Sequence, residues 1–450
     1  MGKVLIIPGV SVSVVKEVLP QQLAPSGVLG LIGFTGAAAG TQRASSWGRV
    51  RELCGDVTAL SLPEARQAID NGVSELVIVS LASDGLTAGA TLLGGDSKPA
   101  LKLKTRAGGT WANNLDVVVA VRKVNNLDVI DLAVKRRGTD DVVEQVRGVA
   151  ADKVKLKEAL DGLGVVALDG AVDALPVATT TAVPLTGGKD APLAAWQAAI
   201  DLLKEEADVD MVLAAVQDFT TPATVTAIYS SVISHCNNLS GDAKGRIGFG
   251  QVGPQWTTSV ATDAVSNLVS DRFVLTAPHG LVGAVAGLVG NLPYYQSPTF
   301  KAISGVPPIA RGLKVDDQTA LLRANIVPVA TERGRGTIVV RGLTTDGDQI
   351  SVRRVADRAV RTMKMIGDLF IGRLNNSDGR GALKQKLIEA LLQMQKEGAI
   401  VPSTDGKSPA FTVEVYSSQE DFAKGIVRVD MAVRPVRAID YIYATVLVQV

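Results

Sequence analysis

Two histidines, His235 and His279, are the only imidazoles in the 450-residue chain. General acid–base chemistry near neutral pH therefore has few natural carriers. His235 neighbours Cys236 in "SHCNN". Adjacent positions on a helix point about 100° apart, which is poor geometry for a base and its nucleophile. The pair reads as structural, and His279 in "TAPHG" reads as a loop hydrogen-bonder. No His/Cys cluster has zinc spacing. Gly30, Gly33, Gly36 and Gly40 suggest a nucleotide loop at first sight. They spell neither G-x-G-x-x-G nor a P-loop. "TGGKD" (186–190) lacks the upstream glycine of a P-loop, so close backbone packing explains both stretches better. The carboxylate pairs Glu205–Glu206 and Asp140–Asp141 sit in polar surroundings. No metal site and no cofactor site is expected, and catalytic residues are expected to be none.

One charge feature stands apart. Between 351 and 364 the chain carries Arg353, Arg354, Arg358, Arg361 and Lys364 against a single acid, Asp357. The whole chain has formal net charge +1, which argues against nucleic acid as a direct partner. A local cationic helix can be a solvated face or an electrostatic docking face for an acidic partner.

The remaining composition is that of a folded chain of two or three domains, with 46% hydrophobic, 20% charged and only 4% aromatic residues. Cys54 and Cys236 are too few for a disulfide framework. The start "MGKVLIIPGV" has neither the length nor the cleavage site of a signal peptide. No apolar run of about 18 uncharged residues is present to suggest a membrane span.

The elements that must position these residues follow from periodicity. "PGVSVSVVKEV" alternates, with Val10, Val12 and Val14 on one side. "YIYATVLVQV" at the other end places Ile442, Val446, Val448 and Val450 on one side at period two. Both read as strands whose backbone groups need a partner. "LPEARQAIDNG" (62–72) predicts a helix with Pro63 in its first turn and Gly72 at its end. Apolar runs at 74–82, 210–218, 245–253 and 272–278 alternate with helical patterns at 191–207, 224–240 and 257–270, an α/β layout. Between 98 and 188 short strands with an Asn-Asn turn predict an inserted, mainly β domain. "VVEQVRGV" and "DKVKLKEALDG" within it are read as short helices or helical turns. "LTAPHGLVGAVAGLVGNL" (275–292) suits a buried, Gly-rich packing segment. Helices are predicted over 350–374, with Val352, Val355, Ala359, Met363, Ile366 and Phe370 as one stripe, and over 381–400, with Leu383, Leu387, Leu391 and Met394 in register.

These pieces together resemble the tail sheath proteins of contractile bacteriophages and related injection systems. "IPGVSVSVVKEV" resembles the family's opening strand, and "GVLGLIGFTGAAAGT" its first Gly-rich core strand. "AGGTWANNLDVVV" and "LTGGKDA" are similar to the start and the return of an inserted β domain. "VRGLTTDGDQISVRRVADRAVRTM" is similar to the strand and turn leading into a helix opened by two arginines, and "GIVRVDMAVRPVRAIDYIYATVLVQV" to the C-terminal strands and arm. "AVAGL" preceding "GVPPIARG" departs from the family's usual order.

The resemblance implies a structural protein with an α/β (α+β) fold. Its parts would be an N-terminal arm (1–24), a layered, subtilisin-like-type core (25–97 and 189–350), the inserted domain (98–188), a C-terminal domain next to an inner tube (351–438) and a C-terminal arm (439–450). Subunits would stack as rings of six around the tube, linked by the arms, and contract to drive it through a host envelope. Partners would be neighbouring copies, the inner tail tube protein, and baseplate and tail terminator proteins, with no stable membrane insertion. The protein would belong to a virion and assemble in the host bacterial cytoplasm. The resemblance leaves open a phage tail or a phage-derived particle such as a tailocin or a type VI-like system. Two other readings remain, an α/β hydrolase and a different assembly component such as a tube or terminator protein. The basic helix 351–364 is the expected tube-facing surface.

Overall fold

The computed structural model describes residues 26–55, 60–306 and 313–444. Its centre is an eight-stranded sheet built from strands far apart in the chain. The first three are β1 (Val28–Phe34), β2 (Gly40–Ala44) and β3 (Glu75–Leu81). Strands β4 to β10 belong to an insertion described below. The sheet resumes with β11 (Met211–Ala214), β12 (Ile247–Gln251), β13 (Phe273–Ala277), β14 (Val327–Glu332) and β15 (Gly336–Val339). Its order is β15-β14-β13-β12-β11-β1-β3-β2. The six inner strands run parallel, and the two edge strands are antiparallel.

Both faces are covered, so the strands read as unbroken apolar runs. In β1, Val28 and Ile32 enter the core on one face while Leu29 and Leu31 enter the other. Helices α1 (Trp47–Leu53), α2 (Pro63–Asp70) and α7 (Val282–Asn291) cover the second face. Helices α4 (Leu193–Leu202), α5 (Pro222–Gly241), α6 (Thr258–Val265) and α8 (Val315–Arg323) cover the first. The expected role of 275–292 holds. A Cβ on Gly283 would stand 2.5 Å from the backbone of Glu64, and one on Gly287 2.5 Å from the Ala68 carbonyl. Glycine is thus what lets α7 lie against α2. The β1 glycines act alike, since a Cβ on Gly33 would meet Leu62 at 2.5 Å.

The insertion comprises β4 (Gly89–Leu93), β5 (Pro99–Thr105), β6 (Leu115–Val124), β7 (Leu127–Arg136), β8 (Val142–Ala150), α3 (Lys153–Asp161), β9 (Val166–Leu168) and β10 (Val183–Pro184). It forms one sheet ordered β10-β6-β7-β8 and another ordered β4-β5-β9 around its own core. Asn125 and Asn126 close the β6–β7 hairpin at φ of 51° and 63°, the left-handed geometry a two-residue hairpin loop needs.

Two expectations are corrected here. "VVEQVRGV" is strand β8, antiparallel to β7, and not a helical turn. Its β-branched residues fit a pleated surface, and β7 offers an edge no short-range pattern reveals. The junction also precedes residue 98. Strand β4 pairs with β5, and Ala90 and Leu92 join the insertion's core.

The last unit holds α9 (Ile350–Asp368), α10 (Ser377–Lys396), β16 (Phe411–Tyr416), α11 (Gln419–Ala423) and β17 (Arg428–Val433). Leu383, Leu387, Leu391 and Met394 of α10 meet Val355 and Ala359 of α9 in a fourth core. Met363, Ile366 and Phe370 pack at its margin, while Val352 stands outside this cluster.

Candidate assembly surfaces

The residues that suggested catalysis are held in structural roles. His235 is 3% exposed and its Nε2 accepts from Arg246 Nη1 at 2.8 Å. Burial and the Arg246 charge push its pKa down to about 4. Burial raises the Cys236 thiol to about 12, which keeps it protonated. His279 Nδ1 donates to the Val252 carbonyl at 3.1 Å, and its ring meets Phe219 edge-on at 4.9 Å. The "TGGKD" turn is a clamp between insertion and core. Asn113 exchanges hydrogen bonds with Gly188 N and O at 2.9 and 2.8 Å, and Asp190 accepts from Gln217 N and Asp218 N, both at 2.9 Å. Among the described residues no His/Cys/Asp/Glu group could hold a metal ion, and no helix is long and apolar enough to cross a membrane.

The expected cationic docking face on α9 is corrected. Arg354 and Arg361 are buried, at 6% and 8% exposure. Arg361 Nη2 donates to the carbonyls of Val209 and Gly245 at 2.7 and 2.9 Å. Arg354 Nη1 donates to the Leu292 carbonyl at 3.1 Å. Arg353 pairs with Asp271 and Asp357, both at 2.9 Å. Arg358 lies over the Tyr294 ring, 5.4 Å from its centroid, and Tyr294 Oη donates to Glu397 at 2.7 Å. Only Lys364 projects into solvent, beside Asp368. The reason is that the heads of the core strands present carbonyls and carboxylates toward α9, and guanidinium donors satisfy them.

Sequence reasoning missed Arg246 and Arg272, which complete this seam. Arg246 is fully buried, donates to the carbonyls of Leu203 and Glu206, and has its pKa pushed down to about 10 by burial. Arg272 is 6% exposed and pairs with Asp357. Each immediately precedes a wholly buried strand, β12 or β13. A charge abutting such a run is the signal that could have found them.

Among the described residues, the C-terminal unit carries surfaces that are open to a partner. Strands β16 and β17 pair in antiparallel register, Phe411 with Val433 through Tyr416 with Arg428. Phe411, Val413, Val415, Val429, Met431 and Val433 turn to the fourth core. No third strand joins this sheet among the described residues. Beside β17 opens a groove of about 760 Å³ whose apolar lining includes Phe370, Leu383, Leu387 and Val429. Ile371 and Leu374 at its rim are 82% and 79% exposed.

The chain beyond β17 is fastened at Ala438 and Asp440. Gln349 exchanges amide hydrogen bonds with Ala438 N and O at 2.8 and 3.0 Å. Asp440 accepts from Arg341 Nε and Gln349 Nε2, both at 2.9 Å. Past this anchor, Ile442 and Tyr443 are 83% and 94% exposed. Ile442 is in no strand among the described residues. Val446, Val448 and Val450, with Val10, Val12 and Val14, lie outside the described residues.

The chain is similar to known proteins in sequence and in fold. The family model for the phage tail sheath protein central domain matches residues 188–345, and that for the phage tail sheath C-terminal domain matches 344–449. Together they span more than half of the chain. The fold is similar to a sheath tail protein from Desulfitobacterium hafniense, at 16% identity over 90% of this chain and 93% of that one, TM-score 0.53. It is also similar to the contracted helical sheath of the anti-feeding prophage, at 14% identity over 99% of each chain, TM-score 0.57. The contracted sheath complex of an extracellular contractile injection system, PVC, matches at 12% identity over 99% and 98%, TM-score 0.57. No curated protein matches.

Proposed function

The chain belongs to the phage tail sheath protein family, and on that premise we propose that it polymerises through strand exchange into a contractile sheath, as rings of six stacked around an inner tube. Contraction would drive the tube through a host cell envelope. The observation that carries this reading is the unfinished β16–β17 sheet. The outer edges of a two-stranded sheet are templates for a further strand. The alternating segments 10–14 and 442–450 have the pattern such an edge would take. The anchor at Asp440 would fix where the outgoing segment leaves one subunit to reach the next. Because main-chain pairing is directional and joins unlike surfaces, it produces open helical assemblies.

The well-packed cores of the C-terminal unit and the α/β sheet support a subunit that keeps its own packing while it moves against its neighbours and the linking strands stay paired. The arginine seam argues that the C-terminal unit and core of one subunit move together. Tube, baseplate and tail terminator proteins are the expected partners, and assembly in the host cytoplasm into a virion or virion-derived particle is the expected setting.

The test is direct imaging of the purified full chain. Negative-stain micrographs should show tubes with sixfold end views at raised concentration. Discrete small particles at every concentration and salt would sink the proposal.

A further inference from the structure

The chain crosses between the core and the insertion twice, outward over 82–88 and back over 185–190. Each crossing holds a glycine in the left-handed region, Gly85 at φ 72° and Gly187 at φ 92°. A Cβ on either would meet nothing within 4 Å. Neither glycine is there to let a neighbour approach, so what it supplies is backbone freedom. Past both, Gly89 exchanges backbone hydrogen bonds with Thr186 at 2.8 and 3.0 Å, and the two crossings enter the insertion as one ribbon. The apolar cores on either side are separate and are bridged at Trp111, which packs against both.

Polar contacts across the junction come from one turn, Thr110–Asn114. Thr110 Oγ1 donates to the Gln217 carbonyl at 3.1 Å, and Trp111 N donates to Gln217 Oε1 at 3.4 Å. Gln217 is held from the core side, because its Nε2 donates to the Ser61 carbonyl at 3.0 Å. Asn113 grips Gly188, on the core side of Gly187, at 2.8 and 2.9 Å.

We propose that the insertion sits on a hinge closed by a latch. Gly85 and Gly187 are the hinge, and the turn Thr110–Asn114 gripping Gln217 and Gly188 is the latch. Hinges are a few loop residues that absorb φ/ψ changes. Relative motion is the default for units joined by a modest, polar contact. A handful of hydrogen bonds is worth less than either apolar core, so the latch opens before either core unfolds. The insertion then turns as a body against the sheet. This device belongs to the single subunit and does not depend on strand exchange.

The experiment places spin labels on the full chain through Leu127→Cys, at the β6–β7 hairpin, and Val269→Cys, in the core. Both native side chains are exposed, at 70% and 64%, while Cys54 and Cys236 are buried and stay unlabelled. Distances are read by pulsed electron spin resonance on dilute monomer. The native chain should give one narrow peak. Thr110→Val, Asn113→Leu and Gln217→Met together keep side-chain size and remove the side-chain bonds of the latch. This variant should add a second, displaced distance population, with circular dichroism unchanged. The native peak alone in the variant would overturn the latch. Should the triple variant fail to fold, Asn113→Leu by itself decides through the same two outcomes, because it removes the two shortest of these bonds.

Discussion

Arg272, at the head of one core strand, grips Asp357 of α9 through two parallel hydrogen bonds of 2.9 Å, with both side chains almost wholly buried. This fork joins the parallel sheet to the helix that carries the C-terminal unit. Arg353, half-buried, reaches the same carboxylate from one turn away, so a single acid serves two cations.

Asp357→Asn should therefore cost far more than an ordinary surface ion pair. It leaves Arg272 without its counter-charge and Arg353 with Asp271 alone, a loss of about 3–5 kcal/mol by analogy with broken buried pairs. Urea unfolding of the subunit measures it, and a loss below about 1 kcal/mol would show that the fork carries little of the seam.

Two cations on α9 should separate cleanly. Arg361→Glu places a carboxylate against the carbonyls of Val209 and Gly245 and should destabilise the subunit itself by about 3 kcal/mol or more. Lys364→Glu should stay within about 0.5 kcal/mol, because that side chain is exposed. Thermal melts of the two variants check the contrast. Similar melting points would mean that burial of Arg361 is not what matters.

Gly287→Ala should destabilise despite alanine's better helix propensity of about 1 kcal/mol. The new methyl would sit 2.5 Å from the Ala68 carbonyl, and overpacking of this kind costs about 1–3 kcal/mol. A melting point above that of the native chain would show that α7 can move off α2.

Stability should also tilt with pH through Glu64. Burial raises its carboxyl from an ordinary 4.5 to about 7, against a hydrogen bond from Gln251. The folded chain holds this proton more tightly than the unfolded chain. The contribution is therefore complete below about pH 4.5 and is lost as pH rises through 7. His235 acts oppositely, because its pKa falls from 6.5 to about 4. Its contribution is present above 6.5 and is lost as pH falls through 4. In urea titrations from pH 5 to 8, Glu64→Gln should gain on the native chain as pH rises. A constant difference would assign no such role to Glu64.

Removing residues 441–450 should leave a folded, soluble subunit, because the anchors at Gln349, Ala438 and Asp440 remain. It should not form long tubes. Normal tubes in the electron microscope would dismiss trans pairing of that segment.

The elements were largely legible because their signals are local. The α10 stripe of Leu383, Leu387, Leu391 and Met394 lies on one helix face at any tertiary placement. The Asn125–Asn126 turn needs only its own two residues and the strands beside it. Even the glycines of α7 announced close packing, though not against what. Strand β8 was misread because its partner edge, not its own pattern, makes it a strand.

The sequence by itself determined that the 351–364 helix has an apolar stripe and a cationic one, and that residues 442–450 alternate at period two. It could not determine that the cationic stripe is also buried. That depends on where Ala207, Val209, Gly245 and Asp357 stand, and Ala207, Val209 and Gly245 lie more than 100 residues from Arg361. A charge pattern shows which side chains seek water or a partner. Only tertiary structure decides which they find, because a carbonyl at the head of a distant strand leaves no mark on the local sequence.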